Sequence, residues 1–154
     1  VGALLSRQTL RLGCRAGDKT EAIRQAGALL VGAGHVTPAY VEGMLAREAV
    51  VSTYLGNGVA LPHGRSQDRS SVHRAGLSLV QLPDGVEWDP GETAYLVIAV
   101  AARGDEHLDA LARVSRVLED ENVARELART KDGDAILARL DAPASARDAR
   151  GDAP

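Results

Sequence analysis

Phenylalanine is absent from this chain of 154 residues, and aromatic residues together make up only 3% of it. Its core must therefore rest on Leu, Val, Ile and Ala. Cysteine is nearly absent too. Cys14 stands alone, which excludes an internal disulfide, agrees with a reducing compartment, and leaves no Cys/His cluster of zinc-site spacing. No neighbour of Cys14 obviously lowers its pKa, so an inert thiol is expected. An excess of positive charge is also missing. Lys and Arg number 18 against 21 Asp and Glu, for a net charge of -3, which argues against a general nucleic-acid binder. No apolar run approaches the ~20 residues of a membrane span, so direct membrane insertion is not expected. Val1 to Leu5 is apolar but too short for a signal-peptide core. The first residue is not Met, as in a trimmed chain or a domain of a longer polypeptide. Cytoplasmic residence is the expectation. No serine-nucleophile motif, paired-carboxylate spacing or HExxH occurs, which argues against a hydrolase or metalloenzyme.

What remains is an ordinary globular composition, 45% hydrophobic and 25% charged, with length for one core. Residues 1–17 suggest one short strand or extended segment. The spacing of Ala22, Ile23, Ala26, Leu29 and Leu30 predicts a helix from Lys19 to Leu30, ended by Gly32 and Gly34. Thr37 and Pro38 read as N-cap and first residue of a second helix, reaching Arg47 or Glu48 with Tyr40, Val41, Met44 and Leu45 on one side. Val50–Val51, Val59–Leu61 and Ala75–Leu82 are candidate strands, and Pro83-Asp84-Gly85 is a turn signal. Trp88 falls in an expected hairpin or loop lid. The apolar run Ala94–Ala101 predicts a strand buried on both faces. Asp105 reads as the cap of a helix to Leu118 with Leu108, Leu111, Ser115 and Leu118 inward. Helices over residues 121–128 and 133–140 follow. The expected fold is α/β, a single layered domain with a mixed β-sheet flanked by helices, over residues 1–140. Residues 141–154 lack large apolar side chains and read as a disordered tail or linker stub.

The stretch from Tyr54 to Gly64 carries the strongest functional signal. His63 lies between Pro62 and Gly64, neither of which continues an element readily, so a loop histidine is expected. A neutral imidazole there can be nucleophile, base or ligand. Asn57, Gly58 and Gly64 are candidates to offer backbone N–H groups to an anion. His107 shares a helix face with Leu111 and Leu118, near an N-terminus whose field favours a neutral ring. Arg47 lies near the end of the second helix, ahead of the His63 segment. His35 and His73 lie in turn-like stretches and read as bystanders.

Taken in order, Met44-Leu45-Ala46-Arg47-Glu48, the Tyr54–Gly64 stretch and Gly104-Asp105-Glu106-His107-Leu108 resemble the IIA domain of the sugar phosphotransferase system, mannitol/fructose class, with the mannitol branch closest. The resemblance runs from about Gly17 to Leu140. It implies a phosphoryl carrier of the phosphoenolpyruvate-dependent system. His63 would accept the group on Nε2 from the phosphocarrier protein HPr and pass it to a cysteine of a IIB domain, with IIC engaged indirectly. His107 and Arg47 would complete the site. Glu48 reads as structural, restraining Arg47 or a ring. No metal or organic cofactor is implied beyond the phosphohistidine. Arg65 departs from the mannitol pattern, where a small polar residue often follows Pro-His-Gly; it would either add a cation for phosphoryl binding or point to solvent. Leu55, Val59 and Leu61 flank His63 as a partner rim or as core, with core favoured for the last two. A monomer is expected. The other reading is a regulatory IIA-like module, of the nitrogen-related branch or a transcription regulator, signalling by histidine phosphorylation.

Overall fold

The computed structural model describes residues 4–101, 103 and 106–140, the side chains of 106–110 excepted. Its elements are β1 (Leu10–Arg11), α1 (Lys19–Gly32), α2 (Pro38–Val50), β2 (Tyr54–Gly56), β3 (Val59–Ala60), β4 (Gly76–Asp89), β5 (Glu92–Ala101), α3 (Glu106–Leu118), α4 (Glu121–Arg129) and α5 (Gly133–Leu140). The sheet order is β1-β4-β5-β3-β2. β4 and β5 pair antiparallel at the centre, β1 and β3 join them in parallel, and β2 pairs antiparallel with β3 at one edge. The mixed α/β architecture is the one expected.

β5 shows why its apolar run is continuous. Successive side chains of a strand point to opposite faces. Leu96, Ile98 and Val100 enter one cluster with Val114, Leu118, Leu127 and Ile136 of α3, α4 and α5. Val97, Ala99 and Ala101 enter the other with Ile23, Leu30, Tyr40 and Met44 of α1 and α2. The sheet is thus the middle layer of three. α1 begins at Asp18, whose carboxylate accepts the Glu21 N–H at 2.8 Å. α1 and α2 approach closely at Gly27, where a Cβ would meet a Val41 methyl at 2.7 Å. Thr37 does occupy the N-cap of α2, but its hydroxyl makes no capping bond.

Four local expectations are corrected. Val50–Val51 is no strand: α2 continues to Val50, and the two side chains are 76% and 59% exposed. The β-branched pair loses to the helix that precedes it. Pro83-Asp84-Gly85 is no hairpin turn but a bulge within β4. Gln81 pairs with Leu96 and Val86 with Ala94, so the extra residues on β4 are looped out while pairing resumes. Gly85 supplies the left-handed φ of +75° that the bulge needs. Trp88 is accordingly no lid but sits in the β4–β5 hairpin, the other placement expected of it, and is buried. In α3 the buried stripe is Val114, Val117 and Leu118, with Ser115 only half-buried. Asp105, the side chain of Leu108 and residues 141–154 lie outside the described residues.

Candidate functional site

The chain leaves β3 at Ala60 and runs beside the C-terminal end of β5 for one more step. His63 forms a parallel bridge with Val100 there, and the Val100 N–H donates to Pro62 O at 2.9 Å. Sheet order alone brings this loop to that edge, because β3 lies parallel to β5. The ligand-bearing side of such sheets is the end where parallel strands stop.

The histidine's tautomer follows from its neighbour. Nδ1 lies 2.9 Å from Leu61 O. A carbonyl can only accept, so Nδ1 carries the proton and the neutral ring keeps its lone pair on Nε2. Among the described residues Nε2 has no hydrogen-bond partner. His63 is half-buried. Val59 and Leu61 are core at 0% and 6% exposure, while Leu55 is 40% exposed and remains a rim residue.

Around the loop lies a set of buried bonds. Tyr40 of α2 is buried; its hydroxyl donates to Val100 O at 2.7 Å and accepts the Gly64 N–H at 2.9 Å. Leu61 N–H donates to Thr53 O at 3.0 Å. Thr53 in turn is held by Glu48, whose carboxylate accepts both its N–H and its hydroxyl. Glu48 also accepts the Trp88 indole N–H at 3.0 Å and lies 3.5 Å from Lys19 Nζ. Glu48 is thus structural and restrains a ring, that of Trp88.

The other expected site residues are placed as follows. Arg47 Nη1 donates to Val51 O at 2.7 Å and caps the end of α2, beside the segment that Glu48 ties to Leu61. His107 lies in the first turn of α3; its side chain is outside the described residues. Five chain steps separate Ala101 from Glu106, so the start of α3 stays within about 18 Å of the end of β5. Arg65 neither faces solvent alone nor offers a loose cation. Its Nε and Nη2 grip both oxygens of Asp68, at 2.9 and 3.0 Å, across a short 3₁₀ turn. Asp68 is buried against Gly43, where a Cβ would overlap its carboxylate.

The Asn57-Gly58 pair is a two-residue hairpin turn between β2 and β3, with φ of +55° and +79°. The Gly58 N–H is taken by Tyr54 Oη and the Gly64 N–H by Tyr40 Oη. Both amides are therefore committed to the fold, against the expectation that they face an anion. Asn57 Nδ2 instead donates to Leu118 O and Glu119 O, closing the end of α3. Tyr40 is the site residue that sequence reasoning missed. A tyrosine on an apolar helix face requires a partner for its hydroxyl, and that is the signal that could have singled it out.

A cavity of about 490 Å³ lies at the other end of β5, lined by Tyr54, Gly58, Tyr95, Arg125 and Arg129 among others. None of its lining residues belongs to the His63 loop. The histidine lies at the opposite end of β5 from this cavity, half-buried. Among the described residues no group of three His, Cys, Asp or Glu side chains could hold a metal ion, and no helix is long and apolar enough to cross a membrane.

Three displaced pKa values set an acid limit. Burial pushes the His35 imidazole below its usual value, partly offset by its bonds to the Arg74 and Ala75 backbone. The Arg65 guanidinium lowers Asp68, and the Ser52 hydroxyl, helped by Lys19, lowers Asp89. Each group binds its proton less readily folded than unfolded, so each contributes stability above its unfolded pKa and loses it as pH falls. Melting temperature should be flat near pH 7–8 and begin to fall below about 6.5, the ordinary imidazole value. The carboxylates add a second fall below about 4. His35→Asn keeps a donor for Arg74 O and should remove the first fall from a calorimetric pH series. An unchanged profile would refute the assignment.

The described residues thus form a three-layer mixed α/β domain with one histidine held by its Nδ1 on a strand-end loop. The comparisons name the class. Residues 3–142 match the phosphoenolpyruvate-dependent sugar phosphotransferase system, EIIA 2, and the chain belongs to that family. It is 50% identical over 136 residues, 88% of its length, to the multiphosphoryl transfer protein of Rhodobacter capsulatus, and covers 16% of that protein. It is 42% identical over 126 residues to the mannitol-specific phosphotransferase enzyme IIA component of Staphylococcus aureus, covering 81% of this chain and 87% of that one. Its fold overlays enzyme IIA of the mannitol system from Escherichia coli, solved in complex with phosphorylated enzyme IIB, with a TM-score of 0.82 and 38% identity. That match covers 89% of this chain and 98% of the other. The chain thus spans a small part of the multiphosphoryl transfer protein, and nearly all of the enzyme IIA component and of the solved enzyme IIA chain.

Proposed function

We propose that this chain is a phosphoryl carrier: His63 accepts a phosphoryl group from phospho-HPr and passes it to a IIB cysteine, for uptake of mannitol or a related sugar. The observation that carries the reading is the Nδ1–H···O=C bond from His63 to Leu61, which leaves Nε2 as the nucleophile. As the P–Nε2 bond forms, the bond from phosphorus to the donor breaks, and Nδ1 keeps its proton. On transfer to IIB the P–Nε2 bond breaks and the thiolate–phosphorus bond forms. Such transfers have loose transition states that demand positioning and charge stabilisation more than covalent work by the protein. A half-buried ring on a loop, reachable at Nε2, suits two successive docking events.

In this reading Arg47 supplies charge to the phosphoryl oxygens, which requires it to leave Val51 O. His107, neutral near the start of α3, donates a hydrogen bond to the same group. No metal or organic cofactor takes part, the domain acts as a cytoplasmic monomer, and residues 141–154 lie outside the working unit. Two kinds of relative support the reading, the multiphosphoryl transfer protein and enzyme IIA of the mannitol system.

The test is intact mass after incubation with phosphoenolpyruvate, enzyme I and HPr. The wild-type chain should gain one acid-labile phosphoryl group. His107→Gln should still gain it, about 10²-fold more slowly, the scale of a positioned proton donor. A folded wild-type chain that stays unmodified would sink the reading, and a His107→Gln variant at full rate would remove that residue's part.

A further inference from the structure

A parallel bridge between His63 and Val100 should carry two rungs: Val100 N–H to Pro62 O, and Gly64 N–H to Val100 O. The first is present at 2.9 Å. In place of the second stands a relay, in which Gly64 N–H donates to Tyr40 Oη at 2.9 Å and Tyr40 Oη donates to Val100 O at 2.7 Å. A side-chain hydroxyl is seated inside a backbone ladder, at the residue following the histidine. The ring that carries it is buried in the α1/α2 layer. Gly64 makes room for it: a Cβ there would lie 2.5 Å from Tyr40 Cε1 and 2.8 Å from Cζ.

We propose that Tyr40 is a positioning residue for His63, its hydroxyl replacing one rung so that the loop is held off β5 at a fixed distance with both backbone groups satisfied. This rests on the phosphoryl-carrier reading for its kinetic consequence but not for its structural one. On the near side of His63, Leu61 O holds Nδ1 and Pro62 O is bonded to β5. On the far side the Tyr40 hydroxyl is the hydrogen-bond partner that the Gly64 N–H has. The ring therefore hangs between two anchored points. Both anchors are buried or half-buried, where water substitutes poorly for a lost partner. Without the hydroxyl, two outcomes are open to the chain. Gly64 N–H and Val100 O stay unpaired, or the loop closes onto β5 to form the direct rung and carries His63 with it. The second moves the imidazole from its set position, and the first frees it at one of its two anchors.

Tyr40→Phe tests this, because it deletes only the hydroxyl and keeps the ring against Gly64. Transfer from phospho-HPr, followed by rapid-quench intact mass well below the melting temperature, should slow by about 10- to 100-fold, the cost of displacing a reacting group by around an ångström. In the same variant the Gly64 amide and the His63 ring nitrogens should shift in ¹H–¹⁵N spectra, with the ring sampling both tautomers. Ile23→Val, a core change in the same layer, serves as the control. It should lower the melting temperature with the transfer rate and the His63 signals unchanged.

A Tyr40→Phe variant with wild-type rate and unmoved Gly64 and His63 signals overturns the proposal. So does one whose rate falls only as far as the control's at matched stability. If the wild type accepts no phosphoryl group, the carrier reading fails, and the spectra still decide whether Tyr40 sets the His63 loop.

Discussion

His63→Ala should abolish phosphoryl acceptance completely, with the melting temperature close to that of the wild type. The ring is half-buried and its one hydrogen bond among described residues goes to a carbonyl two positions away, so little of the fold depends on it. Local bonds of this kind contribute about 1 kcal/mol net. The chemical loss is total in the carrier reading, where His107 acts only as a hydrogen-bond donor and no other described side chain near the loop can replace the lone pair. Arg47 and Arg65 are cations with no free pair. Of the other histidines with described side chains, His35 is buried at 6% exposure and bonded to Arg74 O, and His73 is exposed next to it, its backbone N–H donating to His35 O. The measurement is intact mass of wild type and variant after exposure to phospho-HPr. One added phosphoryl group on the wild type and none on the variant is the expected pair. A full-stoichiometry adduct on His63→Ala would show that the acceptor lies elsewhere, and the carrier role of His63 would have to be abandoned.

The second large effect is structural. Glu48→Ala should cost about 3–5 kcal/mol, the scale for removing one partner from a buried charged cluster. The carboxylate is 6% exposed. It accepts from the Thr53 backbone and hydroxyl and from the Trp88 indole, with the Lys19 ammonium nearby. Its removal leaves the indole N–H and the Thr53 N–H buried without partners, each costing about 1–3 kcal/mol. For a domain of this size that is a fall in melting temperature of about 10 °C or more. Glu48→Gln should fare better than Ala, since one amide oxygen still accepts, but worse than wild type because its NH₂ faces donors. The loss should also reach the site. Thr53 O holds Leu61 N–H, and Leu61 O holds His63. Thermal unfolding of the three proteins checks the order. Equal stability of Ala and wild type would mean that the cluster holds nothing.

The same residues show what was legible beforehand. α1, α4 and α5 were readable because their apolar spacing is helical and their caps are local: Asp18 and Asp120 accept the first free N–H groups within three residues of themselves. β5 was readable because burial on both faces leaves a continuous apolar run. His63 was readable because Pro62 and Gly64 mark a loop by their own backbone chemistry. Val50–Val51 and Pro83–Gly85 misled for one reason. Their local preferences are real, but the long neighbouring elements, α2 and the β4–β5 ladder, outweigh them through contacts distant in sequence.

By itself, the amino-acid sequence determined the layer pattern, the helices, the buried central strand and the loop placement of His63, because each depends on periodicity or on residues adjacent in the chain. Only the tertiary structure decided how that histidine is held. Glu48 lies 40 positions from Trp88, and Tyr40 lies 24 from Gly64 and 60 from Val100. Bonds between residues so far apart leave no period in the sequence. They form only when the sheet order has brought α2, the His63 loop and the end of β5 to one edge.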